Sequence, residues 1–450
     1  MIIEEMKRSL VAILLLAALL RAPGLFTDFW LDEIRALSNV AAIDSAAEVF
    51  TAIHHDSNHW LVSLWMYGIG QEAPFWVYRL PFFLAGVAAI LLVGWLAEVD
   101  GSKPSLAMLM TATSFPLVFY SSEARGYAPA ALAGLAALLC LVRWAESGRI
   151  PWLAGYALAA SVGILSHLSF VIVLVAAVVY SLVLAGRGVL SLRSIIALQV
   201  VPALVMGSLV VLDLRFLGIG GGTREPPGAL LAQTASLALG GPIEGRGVLL
   251  FAVLAAVVLV AELARRVRRY WPNRRSTEAR SYLWVFFAAT AMMPLWVALA
   301  LDPPFLFPRY FLVSIAFVPF LAASFASSLR RPWPAVVLAV WLGANGYSLV
   351  QFAREGRGCY QEALRFLLEA SDDDVVTVGS DHDLRNGRIV GFYRERMGEE
   401  GKRLKYVSVI DAAFWIGSYE GSRCDSCIRL RSYPSSALSG ARWVLYRRNE

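Results

Sequence analysis

Charged side chains are scarce in this sequence and are spread unevenly along it. Only 16% of the 450 residues are charged and 58% are apolar, whereas a soluble domain has about 25% charged and about 45–50% apolar residues. Charged residues number 43 among the first 350 positions and 31 among the last 100. This distribution excludes a cytosolic enzyme, a coiled coil and a disordered chain. It predicts a mainly α-helical membrane domain over residues 1–353 and a small soluble α/β domain over residues 354–450. Within the tail we expect helices over residues 361–370 and 388–397 and strands over residues 375–378, 404–410 and 443–446.

Long apolar stretches recur through the first 350 residues. About eleven of them are long enough to cross a bilayer, near residues 9–26, 76–97, 104–121, 128–146, 151–166, 167–186, 194–214, 247–264, 281–301, 310–329 and 333–352. We expect the first stretch to be an uncleaved signal anchor rather than a cleaved signal peptide. Between the first and second stretches, the apolar residues of segment 36–53 have the spacing of a helix that lies in the membrane interface.

The positive charge of the chain follows this pattern of spans. With the N-terminus in the cytoplasm, the inner loops contain 16 of the 24 basic residues of the first 350 positions, as the positive-inside rule requires. The net charge of +6 is therefore a topology signal, and we expect no nucleic-acid partner. An odd number of spans places the tail outside. We predict a multi-pass protein of the inner (plasma) membrane whose active site and C-terminal domain are extracytoplasmic.

Cysteine is also rare, with four in the chain, which excludes a small disulfide-rich scaffold. Cys424 and Cys427 form a C-x-x-C pair, a spacing typical of a redox motif, half of a zinc site or a local disulfide. The tail offers few further zinc ligands, and residues 421–423 are typical of a loop rather than of the helix start where redox pairs lie. An external tail lies in an oxidising compartment, so we predict a local disulfide without a catalytic part.

The first polar segment of the predicted outer surface is Asp28 to Glu33. Adjacent carboxylates at a membrane surface are costly unless they are solvated or paired. As neighbours, Asp32 and Glu33 point in different directions, so only one of them faces a given substrate atom. The alternative is a solvated loop without a function.

The second polar segment contains three histidines and an aspartate within six residues: His54, His55, Asp56 and His59. Such a set can bind a divalent metal. It can also donate hydrogen bonds to a sugar or a phosphate, or consist of surface histidines without a role. The sequence leaves these three interpretations open.

The third polar segment lies between two spans and contains Glu123, Arg125 and Tyr127. In an extended chain these side chains share one face, and in a helix Glu123 and Tyr127 still lie one turn apart. The alternation of acid, base and phenol predicts a binding face, with a structural ion pair as the alternative.

Arginines form the fourth feature. Arg309 lies beside Tyr310 at the outer end of a span, against the positive-inside bias. Both Arg309 and Arg79 can pair bidentately with a lipid phosphate or extend to the headgroups of membrane lipids. His167 stands alone between two spans and is typical of a structural histidine.

Taken in order, these segments resemble the GT-C superfamily of integral-membrane glycosyltransferases, in particular the protein O-mannosyltransferases and the aminoarabinose or polyprenyl-phosphate-sugar transferases. The matching segments are Trp30–Glu33, Asn58–Leu61, Tyr78–Pro81, Tyr120–Tyr127, Ser166–His167 and Pro308–Phe311. Two of them depart from the family pattern: the second lacks the family's His-Pro-Pro-Leu-Tyr, and Ser122 replaces a glutamine.

The resemblance implies an inverting glycosyltransferase that moves a sugar from a polyprenyl phosphate to a hydroxyl of a lipid, polysaccharide or protein acceptor. It implies Asp32 as the catalytic base and Glu33 as a second carboxylate that holds the acceptor or the loop. The expected binding residues are His54, His55, Asp56, His59, Arg79, Glu123, Arg125, Tyr127, His167, Arg309 and Tyr310. Among them, Arg309 and Arg125 would bind the leaving phosphate. A divalent metal stays open, and no cofactor is certain.

Two other functions compete with this one. A transporter or flippase for a lipid-linked sugar would place ionisable groups near the membrane midplane, whereas the polar residues here cluster at the predicted outer surface. A polysaccharide polymerase or ligase shares the transferase chemistry and is harder to separate from it.

Overall fold

The structure, a computed structural model, describes residues 2–218, 225–270, 278–301, 306–407, 412–418, 422, 424, 426–435 and 438–448. Helices dominate this part of the chain. The α-helices are α1 (Ile2–Leu25), α2 (Leu31–Ala41), α3 (Trp60–Ile69), α4 (Phe75–Asp100), α5 (Pro104–Ala112), α6 (Phe115–Ser121), α7 (Tyr127–Ser147), α8 (Ile150–Ser166), α9 (Val171–Gly186), α10 (Leu192–Leu212), α11 (Pro227–Ala238), α12 (Gly247–Tyr270), α13 (Leu283–Trp296), α14 (Leu312–Ile315), α15 (Val318–Ser328), α16 (Trp333–Glu355), α17 (Tyr360–Glu369) and α18 (Asp383–Arg396). The strands are β1 (Val376–Ser380), β2 (Leu404–Tyr406), β3 (Phe414–Gly417), β4 (Cys427–Tyr433) and β5 (Trp443–Arg448).

The chain is a multi-pass membrane protein. Among the described residues, seven helical segments are long and apolar enough to cross a membrane: Phe75–Asp100, Tyr127–Ser147, Leu168–Gly186, Leu192–Phe216, Gly247–Tyr270, Ala279–Ala300 and Trp333–Glu369. An eighth is formed if Pro308–Ile315 and Val318–Ser328, bent by 48°, count as one span. A mainly helical membrane domain is therefore confirmed, while the predicted number of eleven spans stays a prediction.

The other three predicted spans are shorter or broken helices. Residues Ser9–Leu25 of α1 and the whole of α8 are apolar but only 17 residues long. The predicted span 104–121 is divided into α5 and α6 at Thr113 and Ser114, because Pro116 lies in the first turn of α6 and cannot continue a preceding helix.

Glycine and proline mark several helix boundaries in the membrane part. Gly101 and Gly148 follow α4 and α7 with φ of 74° and 61°, a left-handed conformation that glycine adopts without steric cost. Proline occupies the first turn of α5 and α8, where the missing N–H would lack a helical partner in any case. Within the bilayer, helices satisfy the backbone hydrogen bonds internally.

The segment between α1 and α3, which we call the first outer loop after its predicted location, differs from its prediction. A helix over 36–53 was expected at the membrane interface, but α2 covers only Leu31–Ala41 and a 3₁₀ turn follows at Ala46–Val49. The apolar side of α2 is buried in protein, with Ile34, Leu37 and Val40 at most 3% exposed. The interfacial prediction is wrong because this apolar face packs into the core shared with the tail rather than against lipid.

The described part of the tail forms a sheet of five strands in the order β2-β1-β3-β5-β4. Strand β1 is parallel to β2 and β3, whereas β5 is antiparallel to β3 and β4. The predicted helices at 361–370 and 388–397 correspond to α17 and α18, and the predicted strands near 375, 404 and 443 correspond to β1, β2 and β5. Of the predicted strand 404–410, residues 408–410 lie outside the described part of the chain.

The tail also contains two features around its cysteine pair. Cys424 and Cys427 are joined by a disulfide, which confirms the predicted bond, and β4 begins at Cys427. That the pair has no catalytic part stays a prediction. The sequence analysis missed β3 and β4. One has only four residues, and the other is an edge strand with mostly exposed or half-buried side chains.

One hydrophobic core joins the tail to the first outer loop. It includes Phe29 and Trp30 from the loop together with Tyr360, Tyr393 and Trp443 from the tail. The boundary at residue 353 stays a prediction, and the core crosses it. This arrangement places the tail directly beside the segment that carries Asp32.

Candidate active site

Asp32 and Arg309 form an ion pair between the start of α2 and the turn that precedes α14. Nη2 of Arg309 lies 3.3 Å from Oδ2 of Asp32, and the two side chains are 18% and 16% exposed. Asp32 is in the first turn of α2, and Arg309 is in the 3₁₀ turn Pro308–Phe311 that precedes α14. Burial pushes the pKa of Asp32 upward, but the neighbouring arginines, chiefly Arg309 and Arg125, outweigh burial and hold the pKa below its ordinary value. The carboxylate is therefore ionised.

A cavity of about 310 Å³ lies beside this pair. It collects predicted site residues from four separate segments, namely Asp56, His59, Arg125, His167 and Tyr310. Its remaining wall is largely apolar, with Leu168, Val171, Ile172, Val297, Leu306 and Phe311. The structure thus brings together residues that are far apart in the sequence.

Two histidines and a tyrosine stack at the polar end of the cavity. The ring centroid of His167 lies 4.6 Å from that of His59 and 4.5 Å from that of Tyr127. Burial, with help from Arg125, lowers the pKa of His167 to about 3 and that of His59 well below its ordinary value. Both imidazoles are neutral, so they can exchange hydrogen bonds with a ligand but add no positive charge.

Gly126 permits this stack to form. A Cβ at this position would lie 1.7 Å from the carbonyl oxygen of Ser166, so only glycine allows the start of α7 to approach the end of α8. His167 directly follows α8. The close contact therefore holds His167 against Tyr127.

Several polar atoms around the cavity are buried without a hydrogen-bond partner. They are Nε of Arg125, Nε of Arg309, Nε2 of His59, Oη of Tyr127 and Oγ of Ser169. Buried polar groups in proteins are nearly always paired. Unpaired N–H and O–H donors beside two guanidinium groups can bind the oxygens of an anionic ligand such as a phosphate.

Glu33 points away from the cavity and pairs with Arg79. Nε and Nη2 of Arg79 donate to the carboxylate at 2.8 and 2.6 Å, and both side chains are fully buried. Arg79 also donates to the carbonyl oxygens of Gly24, Leu25, Thr27 and Asp28. The structure therefore places Arg79 at the first outer loop and not among lipid phosphates or headgroups, unlike both sequence interpretations.

The Glu33 carboxylate connects two loops. Its Oε1 accepts the N–H of Ala124 at 2.8 Å, and its Oε2 accepts the N–H of Trp30. Burial raises the pKa of Glu33, but Arg79 outweighs burial and the net shift is downward. Glu33 is ionised and holds the geometry of the loops, and it is not open to a substrate.

Glu123 faces the tail. It is 1% exposed, and its Oε2 accepts a hydrogen bond from Oγ of Ser439 at 3.2 Å. Burial raises its pKa. Of the predicted Glu123–Arg125–Tyr127 face, the last two residues approach the cavity and the first contacts the C-terminal domain.

The three histidines of the second segment diverge. Nδ1 of His54 lies 2.8 Å from Oδ1 of Asp213, and His55 lies 2.8 Å from Asp56, while His59 stacks on His167. Across the described ranges, no group of three or more histidine, cysteine or acidic side chains can hold a metal ion. The segment does not fit the metal site that its sequence allowed.

Three contributors to this region were missed by the sequence analysis. Asp213, fully buried, accepts the indole N–H of Trp60 at 2.8 Å and holds the histidine segment. Arg357 donates to the carbonyl oxygen of Phe119 and to Thr27 Oγ1. Arg35 lies one turn after Asp32 and contacts His55 at 3.4 Å. Their sequence signal was charge at the outer end of a span, or one helical turn from Asp32.

Comparison with known proteins supports one fold. No family model and no curated protein matches the sequence. The crystal structure of ArnT from Cupriavidus metallidurans in the apo state matches with a TM-score of 0.55 and 12% identity, over 99% of this chain and 98% of that one. The structure of ArnT from the same organism bound to undecaprenyl phosphate matches with a TM-score of 0.49 and 14% identity, over 97% of each chain. The chain therefore shares the fold of the apo ArnT structure over its whole length, which agrees with the fold that its motifs predicted.

Proposed function

We propose that this protein is an inverting glycosyltransferase that moves a sugar from a polyprenyl-phosphate donor to an acceptor hydroxyl at the outer face of the membrane. One observation carries the proposal. The ionised carboxylate of Asp32 lies beside Arg309, next to a cavity lined by Arg125, and Nε of both arginines and Oη of Tyr127 are buried without a hydrogen-bond partner. The fold shared with ArnT supports the same conclusion.

Asp32 is the proposed general base. Its carboxylate accepts the proton of the acceptor hydroxyl while that oxygen forms a bond to the anomeric carbon. The bond from the anomeric carbon to the phosphate oxygen breaks on the opposite face, its electron pair stays on the phosphate, and the configuration inverts. A positioned base contributes typically ~10²–10⁴-fold to such a rate.

Arg309 and Arg125 are the proposed partners of the leaving phosphate. Their charge stabilises the negative charge that accumulates on the phosphate as the bond breaks. In the structure Arg309 is paired with Asp32. A donor phosphate that shares Arg309 weakens this pair, which raises the pKa of Asp32 and makes it a better base when the donor is bound.

The stacked rings are the proposed sugar contacts. Nδ1 of His167 accepts the Ser169 N–H, so Nε2–H of this neutral ring can donate to a ligand. Neutral His59 can donate or accept through its unpaired Nε2, and Tyr127 and Tyr310 can donate to sugar or phosphate oxygens. Asp56 lines the same cavity. Glu33, Arg79 and Glu123 take positioning roles in this proposal, since each is buried against protein partners.

A second cavity suits the prenyl chain. It has a volume of about 280 Å³ and is lined mostly by apolar side chains of α11, α12, α13 and α15. The two cavities share two wall segments, residues 295–297 and 311–315. Leu295 and Ile315 line the apolar cavity, whereas Val297 and Phe311 line the cavity beside Asp32. A lipid tail in the apolar cavity would leave its phosphate close to Arg309.

The proposed orientation has the active site and the tail outside the inner membrane. It is supported by the basic residues predicted to face the cytoplasm, such as those at positions 265–269 in the last turns of α12. Neither the transporter or flippase nor the polysaccharide polymerase or ligase gains a specific observation from the described residues. The buried guanidinium of Arg266 donates to the carboxylates of both Asp100 and Glu262 at 2.5–2.9 Å, so these charges are already paired within the protein.

Turnover of purified protein tests the function. The protein in lipid nanodiscs is supplied with polyprenyl phosphates carrying a pentose or a hexose, and released polyprenyl phosphate is measured with and without an envelope lipid extract as acceptor. We expect acceptor-dependent release with at least one donor. No release with any donor, together with unchanged lipid-linked sugars in the mass spectra of a strain lacking the protein, would overturn the proposal.

A further inference from the structure

The residues immediately before α2 are held by the C-terminal domain. Oδ2 of Asp28 accepts the backbone N–H of Gln361 in the first turn of α17 at 2.9 Å. The carbonyl oxygen of Phe29 accepts the hydroxyl of Tyr393, on α18, at 3.0 Å. The ring of Trp30 lies 6.1 Å from that of Tyr360, with 29° between the planes. Three successive loop residues thus contact three residues of the tail.

These contacts lie in a core and not at a solvated surface. Phe29, Tyr360 and Tyr393 are at most 1% exposed. The Phe29 ring stacks on that of Phe75 of α4, at 4.3 Å, and the ring of Phe392 of α18 lies 6.4 and 6.3 Å from these two rings. In such a packed environment a shift of the tail displaces the loop, since interiors have few voids to absorb it.

The linker between the last span and the tail adds a further anchor. Nη1 of Arg357 donates to the carbonyl oxygen of Gly24 at 3.2 Å and to Oγ1 of Thr27 at 3.0 Å. On the other side, Arg79 of α4 donates to the carbonyl oxygens of Thr27 and Asp28. The loop is therefore clamped between the membrane helices and the C-terminal part of the chain.

The clamp ends two residues before Asp32. Trp30 is the residue that precedes α2, and its N–H binds the Glu33 carboxylate at 3.3 Å. The start of α2, and with it the direction of the Asp32 side chain, is set where Phe29 and Trp30 meet the tail. A misplacement of about 1 Å in a reacting group can cost on the order of 10²-fold in rate.

We propose that the C-terminal domain is a positioning element of the active site, in which Tyr393 and Asp28 hold the chain before α2 so that Asp32 stands against Arg309. Neither residue touches the cavity, so both are positioning residues. The kinetic part of this inference rests on the proposed glycosyl transfer, whereas its structural part does not.

Tyr393→Phe tests the hydroxyl alone, because the ring and its packing are kept. We expect kcat to fall about tenfold, with KM for the donor within about twofold of wild type. Tyr406→Phe is the matched control: it removes another hydroxyl of the same domain, bonded to Ser380 and Asp383, and should leave kcat unchanged.

Asp28 offers a test with rescue. Asp28→Ala removes the acceptor for the Gln361 N–H, and we expect a fall in kcat comparable to that of Tyr393→Phe. Asp28→Asn keeps an acceptor oxygen at the same place and should restore most of the rate. A role of the charge itself would give the opposite result, with Asn as poor as Ala.

Hydrogen–deuterium exchange separates this inference from the proposed function. In Tyr393→Phe and Asp28→Ala, peptides covering residues 27–37 should exchange faster than in wild type and Tyr406→Phe. An inactive wild type would refute the transferase and leave this readout intact. The inference is overturned if both variants keep wild-type exchange in these peptides, or if they lose only thermal stability while kcat stays unchanged.

Discussion

Arg79 donates two hydrogen bonds, of 2.6 and 2.8 Å, to the carboxylate of Glu33, and both side chains are fully buried. One position earlier, Asp32 is partly exposed and pairs with Arg309 beside the cavity. Two carboxylates at adjacent positions of a helix point in different directions. The Asp-Glu pair therefore divides into a carboxylate at the cavity and a carboxylate that holds loops together.

Glu33→Gln should destabilise the protein. It leaves the buried guanidinium of Arg79 without its counter-charge, and breaking a buried ion pair on one side costs about 3–5 kcal/mol of the free energy of unfolding. Thermal unfolding in detergent should show a clearly lower Tm than wild type. Arg265, whose side chain is partly exposed in its pair with Glu262, offers a control: Arg265→Gln should lower Tm far less. Equal Tm values for Glu33→Gln and wild type would contradict the structural role.

Asp32→Asn should abolish transfer without unfolding the protein. Asparagine keeps the shape of the side chain but cannot accept a proton, and loss of a general base costs typically ~10²–10⁴-fold. Turnover of the purified variant measures this loss, and a Tm close to that of wild type shows that the fold is kept. Asp44→Asn, at an exposed position of the same outer loop, should be fully active. Near wild-type turnover by Asp32→Asn would refute the assignment of the base.

Sequence patterns predicted the membrane helices and several residues of the cavity, but they did not predict which side chains pair with each other. The apolar periodicity located the membrane helices, and the motifs identified His59, Arg125 and His167, which the fold collects around one cavity. The pairing of Glu33 with Arg79 joins positions 46 residues apart. Such contacts depend on how helices pack, which local spacing does not record.

Local sequence patterns also failed to predict the short strand β3 and the contacts between the tail and the rest of the chain. The four residues of β3 carry little periodic signal. The predicted helix at 36–53 followed an apolar spacing that in the fold is used for packing against the tail. Arg357 contacts Gly24 across 333 positions, so its role as an anchor emerges only from the folded chain.

Replacement of Arg309 should shift the pH dependence of transfer. Its guanidinium is the largest charge effect that holds the pKa of Asp32 below its ordinary value, against burial, which raises it. Activity needs the ionised carboxylate and is lost as pH falls through this pKa. In Arg309→Ala the pKa of Asp32 rises, so the acid limb of the kcat/KM profile should move to higher pH.

The same replacement should weaken donor use. Arg309→Ala removes charge-assisted bonds that strengthen on the leaving phosphate, so kcat should fall and KM for the donor should rise. Arg309→Lys keeps a point charge without the bidentate fork and should be intermediate in both the rate and the acid limb. An acid limb at the wild-type position in Arg309→Ala would show that this arginine does not act on Asp32.

The disulfide between Cys424 and Cys427 should be present in cells and dispensable for transfer. Disulfides persist in oxidising compartments, so its presence agrees with the proposed external tail. The loop it closes is very short, which puts its stabilisation at the low end of the usual range of about 0–5 kcal/mol.

Alkylation of intact cells without reductant, followed by mass spectrometry, should leave both cysteines unmodified. The double variant Cys424→Ser, Cys427→Ser should retain wild-type turnover, because neither cysteine lines the cavity beside Asp32 and Arg309. Two alkylated thiols would count against the external tail, and lost turnover in a folded double variant would assign the pair a part in the reaction.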